Sequence, residues 1–513
     1  MKKFGITQRA VVISVFLALI ALPCIGSLPA VHEINRNRFV DMESREPNDY
    51  PALEASIEAL GLFPQRFEAA FNDRFGFRRD LITLYKLLMF KAFNISTDRS
   101  SVVVGKDGWL FLGDRYESVF ARHTGARPPE AWEAESVIQA ERQKQAWLQR
   151  RGIAYLYAVA PDKHSIYPEY FPKYVRDQGG EVLLDMVMAR ADTMGLPVLD
   201  LRRTMLQSKT RHGDLVYSKT DSHWSNLGCY DGYWAIMSAL SRQTGPLKTL
   251  SLNGYETTTG RAYNLEGLLG LRKHYKMEDV HINLKLDHSS SSMHARGFDG
   301  APVQWDDGRE VHYNDQLIVS NRNALNDLRV FMLRDSFANR LSPMLNLSFS
   351  EVLYTHYNRE SLNVEIVDLM LQFRPDILLF EMVERNLAGV RGTYTPWQSP
   401  LVNSREAARI WPKLAPATTE HVIANERGEV FFAPGDRVAD ILVRLETDGH
   451  VLLEYSTEAA PDFKPAPVHD TDDTFVEIKA DSPIKSIRLT SAGTSGVVEF
   501  RKMSEQALRQ LYR

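Results

Sequence analysis

The chain has 513 residues, 44% of them hydrophobic and 25% charged, with a formal net charge of −4. That length predicts two or three domains, not one. The composition excludes a disordered chain, and the charge gives no general attraction to nucleic acid.

Lys2, Lys3 and Arg9 precede a charge-free stretch from Ala10 to Val31. Such a stretch is long enough to span a bilayer as a helix, and its basic flank holds the N-terminus in the cytoplasm. Ser27-Leu28-Pro29-Ala30 is a poor small-x-small cleavage site, which favours an uncleaved anchor over a signal peptide. Either reading sends the rest of the chain out of the cytoplasm. Cys24 lies in this stretch and Cys229 far beyond it, so the exported part has no intrachain disulfide and no cysteine cluster for structural zinc.

From Leu53 to Phe93 apolar residues recur at three- and four-residue spacing, which predicts helices broken at Gly61 and Pro64. Val102–Val104 and Trp109–Leu112 flank the turn Gly105-Lys106-Asp107-Gly108 and predict a hairpin. Further on, helices are expected over Glu130–Arg150, Glu181–Met194 and Leu227–Leu240, with a helix beginning at Phe337. Strands are expected at Ile153–Val159, Val198–Leu201, Leu328–Leu333 and Ile377–Glu381. This alternation predicts an α/β domain with a mainly parallel sheet, whose functional groups gather beyond the carboxyl ends of the strands. Leu247–Val319 is rich in Gly, Asn, Ser and Asp and reads as loops and small strands. Beyond a linker around Pro412 and Pro416, short alternating runs predict a small β-sandwich. The expected divisions are a membrane segment at 1–31, a helical lead-in at 32–100, a catalytic domain at 101–405, and a linker with a sandwich at 406–513.

Two strings carry chemistry. In Leu333-Arg334-Asp335-Ser336-Phe337, Ser336 sits at a strand-to-helix junction. A helix N-terminus there offers free N–H groups to a developing oxyanion, though a serine at this place also serves as a plain cap. In Thr220-Asp221-Ser222-His223-Trp224-Ser225, Asp221 and His223 share a face of an extended segment, so a carboxylate can reach one ring nitrogen and leave the other for a hydroxyl. The same pair suits two metal ligands, with His164 or His356 as a third, or a polar turn with a satisfied histidine. Trp224 is a candidate wall of an acceptor site or a core tryptophan. Asn321, Asn323 and Asn326 are candidate oxyanion donors or turn formers. Lys163 follows a strand end and shapes the site or pairs with Asp162. Tyr394 and Trp397 are candidates for a glycan subsite.

These strings, together with Arg66-Phe67-Glu68 through Arg78, Gly105–Phe111 and Pro161–Pro168, resemble the alginate O-acetyltransferase family of bacterial exopolysaccharide-modifying proteins. That family is a branch of the SGNH-hydrolase-like superfamily, and the resemblance covers roughly residues 66–386. It implies that Asp221 orients His223, that His223 acts as base then acid, and that Ser336 is the nucleophile. Ordinary SGNH enzymes have the serine first; here the order is reversed, as in the alginate-modifying members, which resemble a permuted form. Arg334 stands where the usual Gly-Asp-Ser-Phe string has glycine, and it either assists an anionic substrate or is a salt-bridged surface arginine.

The expected function is therefore transfer of an acetyl group, through an acetyl-serine, onto hydroxyls of a secreted polysaccharide, with no cofactor. The resemblance implies a membrane-bound O-acyltransferase as acetyl supplier, an association with exopolysaccharide synthesis and export machinery, and a periplasmic protein anchored in the bacterial inner membrane. An acetylesterase using the same three residues, or a noncatalytic glycan-binding protein with Tyr455 and Phe463 as its aromatic platform, are the alternatives.

Overall fold

The computed structural model describes residues 10–11, 13–18, 21, 48–52, 56–75, 77–175, 180–286, 292–357, 362–388, 404–416, 429–432, 437–446, 451–465, 475–480, 482–491 and 497–503. The chain divides into two compact units, 1–104 with 266–277 and 105–265 with 278–513.

In the first unit, α1 (Ile57–Arg74) runs through Gly61 and Pro64, where the sequence predicts breaks. Proline forfeits one helical N–H bond. The rings of Phe63, Phe67 and Phe71, one turn apart with centroids 5.9 and 6.3 Å from each other, hold the helix together along one face. α2 (Arg78–Phe93) follows and ends at Asn94 in the left-handed conformation, before β1 (Val102–Val104).

The expected membrane anchor is overturned. Among the described residues no helix is long and apolar enough to cross a membrane. The localisation drawn from that anchor falls with it.

The second unit contains β2 (Leu110–Leu112), β3 (Ala154–Ala160), β4 (Val198–Asp200), β5 (Leu252–Arg261), β6 (Glu278–Leu286), β7 (Met293–Arg296), β8 (Pro302–Val303), β9 (Leu317–Asn321), β10 (Asn326–Arg334), β11 (Phe349–His356) and β12 (Ile377–Val383). Among its helices are α3 (Val119–His123), α4 (Ala131–Arg150), α5 (Lys163–Ile166), α6 (Leu183–Met194), α7 (Arg202–His212), α8 (Asn226–Thr244), α9 (Ser342–Ser348) and α10 (Leu362–Phe373). Eight strands form one sheet in the order β4-β3-β12-β10-β11-β9-β7-β8. The run from β4 to β11 is parallel, whereas β9, β7 and β8 pair antiparallel. The sheet is thus mixed, which corrects the expected mainly parallel one. No helix lies between β7 and β10 to make crossovers, and without crossovers neighbouring strands pair antiparallel.

β12 is buried along its whole length, as a parallel strand covered on both faces must be. Phe331, Leu333, Leu378, Phe380 and Met382 pack with Trp147, Leu148 and Leu184 in the main core. β10 and β12 run in register up to Leu333 and Phe380, so the chain leaves both at the same edge of the sheet. That edge carries Ser336.

Past α11 (Ser404–Ile410) lie β13 (Glu429–Phe431), β14 (Asp440–Glu446), β15 (Val451–Thr457), β16 (Lys464–Pro465), β17 (Phe475–Lys479), β18 (Ile484–Ser491) and β19 (Val497–Lys502). They form a four-stranded and a three-stranded sheet around Val430, Ile441, Val443, Leu453, Ile478, Ile487 and Phe500. Tyr455 packs against this core, and the Arg488 guanidinium lies 3.7 Å above the Phe463 ring. Neither ring is the bare platform a sugar would stack on.

Candidate active site

The two strings meet at the sheet edge. β10 ends at Arg334, and a 3-10 turn over Ser336–Asn339 follows. Asp335 caps that turn: one carboxylate oxygen accepts the Phe337 N–H at 2.8 Å. The other accepts the Val383 N–H at 2.9 Å and the Asn386 amide at 3.1 Å. The serine turn is therefore pinned to the neighbouring strand.

Across from it runs the segment Ser218–Ser225, which has no helix or strand of its own and leads into α8. Ser225 caps α8 by accepting the Gly228 N–H at 3.2 Å. His223 is presented with Nε2 2.8 Å from Ser336 Oγ and Nδ1 2.8 Å from Asp221 Oδ1. With the proton on Nδ1, the imidazole accepts from the serine hydroxyl, the arrangement of a nucleophile, its base and the base's orienter. Asp221 is buried, whereas His223 and Ser336 are half-buried and open to a substrate.

Arg340 completes the set. It donates to Asp221 Oδ2 at 2.6 Å and to the Trp224 carbonyl. Burial alone would raise the Asp221 carboxyl. The His223 hydrogen bond and the Arg340 charge outweigh that and hold it well below the usual carboxylate range. Asp221 thus stays ionised and can balance an imidazolium. Asn264 anchors the segment further: its oxygen accepts the Ser222 N–H at 3.0 Å and its amide donates to Ser222 Oγ at 2.7 Å.

Several expected substrate contacts fall elsewhere. Trp224 is fully buried, its indole N–H bonded to the Phe337 carbonyl at 3.0 Å. It is a strut between the two strings, not an acceptor wall. Arg334 is also fully buried and donates to the carbonyls of Val311 and His312 and to Asn339, so it is neither a surface arginine nor an anion receptor. Asn326 opens β10, at the end opposite Ser336, and its side chain is bonded to Lys248 and Ser348. Asn321 and Asn323 lie at that same far end, with the Asn321 amide on the Asn346 carbonyl at 3.0 Å. Eight residue steps of strand separate that end from the site by about 26 Å, which removes all three as oxyanion donors. Tyr394 and Trp397 lie outside the described residues.

Lys163 does not pair with Asp162, which instead bonds Arg385 through its side chain and backbone N–H. The Lys163 ammonium donates to the carbonyls of Ser218, Lys219 and Asp221 at 3.1, 2.9 and 2.6 Å. Burial pushes its pKa down to about 7, opposed by Asp221 and Asp279. His164 is buried against the Leu112 carbonyl at 3.0 Å, and burial pushes its pKa down to about 3. The described residues close enough together to share a metal are His123, Asp162 and Glu384, a group that excludes Asp221 and His223. Sequence reasoning missed Arg340, Asn264 and Asp279. None lies in a motif, and only the fold brings them to the two strings.

A serine, a base and an orienting carboxylate at the edge of an α/β sheet define a site for serine-nucleophile chemistry. Residues 102–285 match the family described as SGNH hydrolase-like domain, acetyltransferase AlgX. Over that span the chain is similar to the SGNH-hydrolase-like domains of this family and to probable alginate O-acetylases. It is 30% identical over 168 residues to the probable alginate O-acetylase AlgJ of Pseudomonas aeruginosa, a span of 33% of this chain and 40% of that protein. With the AlgJ of Pseudomonas putida it shares 27% identity over 184 residues, 36% of this chain and 45% of that protein. The chain thus spans under half the length of the curated relatives it matches. Bacillus cereus PatB1 superposes over 57% of this chain and 99% of its own, with 17% identity and a TM-score of 0.42, too low to carry a functional comparison. The family match includes Asp221 and His223 and stops short of Ser336.

Proposed function

We propose that this chain is an O-acetyltransferase that moves an acetyl group through an acetyl-Ser336 intermediate onto hydroxyls of a secreted polysaccharide. The observation that carries the reading is the pair of 2.8 Å contacts that link Ser336 to His223 and His223 to Asp221. The relation of the domain to alginate O-acetylases supplies the acyl group and the acceptor class.

In the first half-reaction Ser336 Oγ attacks the acetyl carbonyl while His223 takes its proton. The carbonyl oxygen becomes an oxyanion beside the backbone N–H of Ser336. As it collapses, the donor's leaving group departs with the proton from His223. In the second, a sugar hydroxyl gives its proton to His223, forms the new ester bond and releases Ser336 Oγ, which regains the proton. Asp221, kept anionic by Arg340, stabilises the imidazolium in both. A membrane-bound O-acyltransferase is the proposed acetyl supplier, within a polysaccharide synthesis and export system. Residues 101–405 are the proposed catalytic domain and 406–513 a second domain.

Intact-mass analysis of the protein treated with 4-nitrophenyl acetate tests this. One acetyl group on the wild type and none on Ser336→Ala is expected, followed by transfer to an acetylatable oligosaccharide. Acetate release with every oligosaccharide tried, and no sugar ester, would replace the transferase reading by the esterase. No adduct and no turnover in the wild type would leave a noncatalytic protein.

A further inference from the structure

The segment that carries Asp221 and His223 has no sheet or helix ladder to satisfy its backbone; apart from a 3.4 Å bond from the Asp221 N–H to the Ser218 carbonyl, the carbonyls of Ser218–Asp221 meet partners from outside it. The Thr220 carbonyl accepts the Leu265 N–H at 3.0 Å, and the Lys219 carbonyl accepts the Leu110 N–H at 2.9 Å. The carbonyls of Ser218, Lys219 and Asp221 all converge on the Lys163 ammonium. In its protonated form the amine has three N–H donors and spends each on a different carbonyl, a match that the neutral amine, formed as pH rises through about 7, cannot make with two. The same ammonium lies 5.5 Å from the ring centroids of both Trp109 and Phe111, and Lys163 itself is 2% exposed. Lys163 thus brings a positive charge to a cluster of three backbone carbonyls.

We propose that Lys163 is a positioning residue for the acyl-transfer reaction, a built-in cation that sets the Ser218–Asp221 carbonyls and through them the distance of His223 from Ser336. This rests on the reading of Ser336, His223 and Asp221 as the reacting trio. α5 begins immediately beyond the end of β3, so the lysine is fixed to the sheet. The serine turn is fixed to the same sheet through β10 and β12. Lys163 therefore references the irregular half of the site to the regular half. It touches no reacting atom. Its loss shifts the imidazole, and a displacement of about 1 Å at a reacting group costs on the order of 100-fold in rate.

The experiment labels Ser336 with methanesulfonyl fluoride as well as 4-nitrophenyl acetate. In the sulfonyl reaction an Oγ–S bond forms, the S–F bond breaks, fluoride leaves and His223 takes the proton, so labelling reads nucleophile activation without an acetyl group. Lys163→Ala is expected to slow both labelling reactions about 100-fold. Ammonium or methylammonium chloride is expected to restore at least tenfold of that, while sodium chloride at equal ionic strength is not. Lys163→Met keeps the stem between the rings and guards against a variant that does not fold; it should be folded by thermal melting and equally slow. Wild-type labelling rates in either variant, equal effects of the two salts, or loss of folding in both variants would overturn the proposal. A wild type that takes the sulfonyl label but no acetyl group would instead sink the acetyltransferase reading and leave the role of Lys163 standing.

Discussion

The two halves of the site are held by opposite means. Ser336 stands on a turn that follows a buried strand, and the turn is capped by its own neighbour Asp335. Asp221 and His223 stand on a segment without regular structure, held by side chains from distant parts of the chain: Lys163, Asn264, Asp279 and Arg340. The serine half gets its precision from the sheet and a local cap. The histidine half gets its precision from a ring of long-range polar contacts, and such contacts are individually replaceable only at the cost of leaving buried groups unpaired. The comparison therefore predicts that substitutions around the histidine half disturb geometry and stability together, while those at the reacting atoms remove chemistry and spare the fold.

The largest effect tests the reacting atoms. Ser336→Ala and His223→Ala should each lower acylation by 4-nitrophenyl acetate about 10⁴-fold or more. The double variant should be no slower than either, because the two act as one unit. Thermal melting should change less than for the buried contacts around them, since both side chains are half-buried; His223→Ala also removes the hydrogen bond to Asp221 and should cost the more of the two. A double variant whose losses multiply would mean that the two residues do not share a step.

Asp221→Asn comes next and should strike both properties. A neutral amide cannot balance an imidazolium and favours the wrong tautomer, so acylation should fall about 10³- to 10⁴-fold. It also leaves the Arg340 guanidinium buried beside an uncharged partner, which costs about 3–5 kcal/mol of stability. The pH dependence has a definite sign. The folded state holds the Asp221 carboxyl below its ordinary range. Its contribution is therefore fully present above the unfolded value of about 3.9 and is lost as pH falls through the folded one. Melting curves of wild type and Asp221→Asn should stand far apart at pH 6, begin to draw together only below about pH 4, and still differ at pH 3, because the folded carboxyl is held well below that range. A gap that does not narrow at all between pH 6 and pH 3 would show that packing, not charge, separates them.

The sequence reveals the two halves unequally for the same physical reason. The strand Val330–Leu333, a following serine and a helical pattern are contiguous, so the local string places Ser336 at a sheet edge. Asp-x-His is also contiguous, and the two-residue period puts both groups on one side. What the string cannot contain is the ring around them. Arg340, Asn264, Asp279 and the carbonyl contacts of Lys163 lie from 42 to 119 positions from their partners, and no periodicity encodes contacts of that span. The sequence leaves Trp224 open between a wall and the core and does not foresee the burial of Arg334, because the backbone carbonyls that satisfy the two polar tips lie outside each residue's own string. The mixed sheet was hidden in the Gly- and Ser-rich stretch before Val319, where short antiparallel strands leave little pattern.

Asp335 gives a smaller effect and tests the claim that the serine half is held locally. Asp335→Ala leaves the Phe337 and Val383 N–H groups without their acceptor, and one unmade buried bond costs about 1–3 kcal/mol. Melting should fall by roughly 2 kcal/mol. The acylation rate should fall about tenfold as the turn loosens, with the affinity for the ester little changed. A loss as severe as that of Ser336→Ala would make Asp335 part of the chemistry instead of the turn.

The smallest effect separates geometry from chemistry within the histidine half. Ser222 Oγ lies 3.3 Å from His223 Nδ1, whereas Asp221 Oδ1 lies at 2.8 Å from the same nitrogen. One N–H cannot serve two acceptors equally, and the shorter, charged contact dominates. The Ser222 hydroxyl also receives the Asn264 amide, but the bond that anchors the segment runs from the Ser222 backbone N–H to the Asn264 oxygen. Ser222→Ala keeps that backbone bond and should slow acylation only about two- to threefold. Asn264→Ala removes it and should slow the reaction by more, with a larger loss in the melt. If Ser222→Ala proved the slower of the two, the hydroxyl would be orienting the imidazole. The histidine half would then depend on its immediate neighbour as the serine half does, and the contrast between them would disappear.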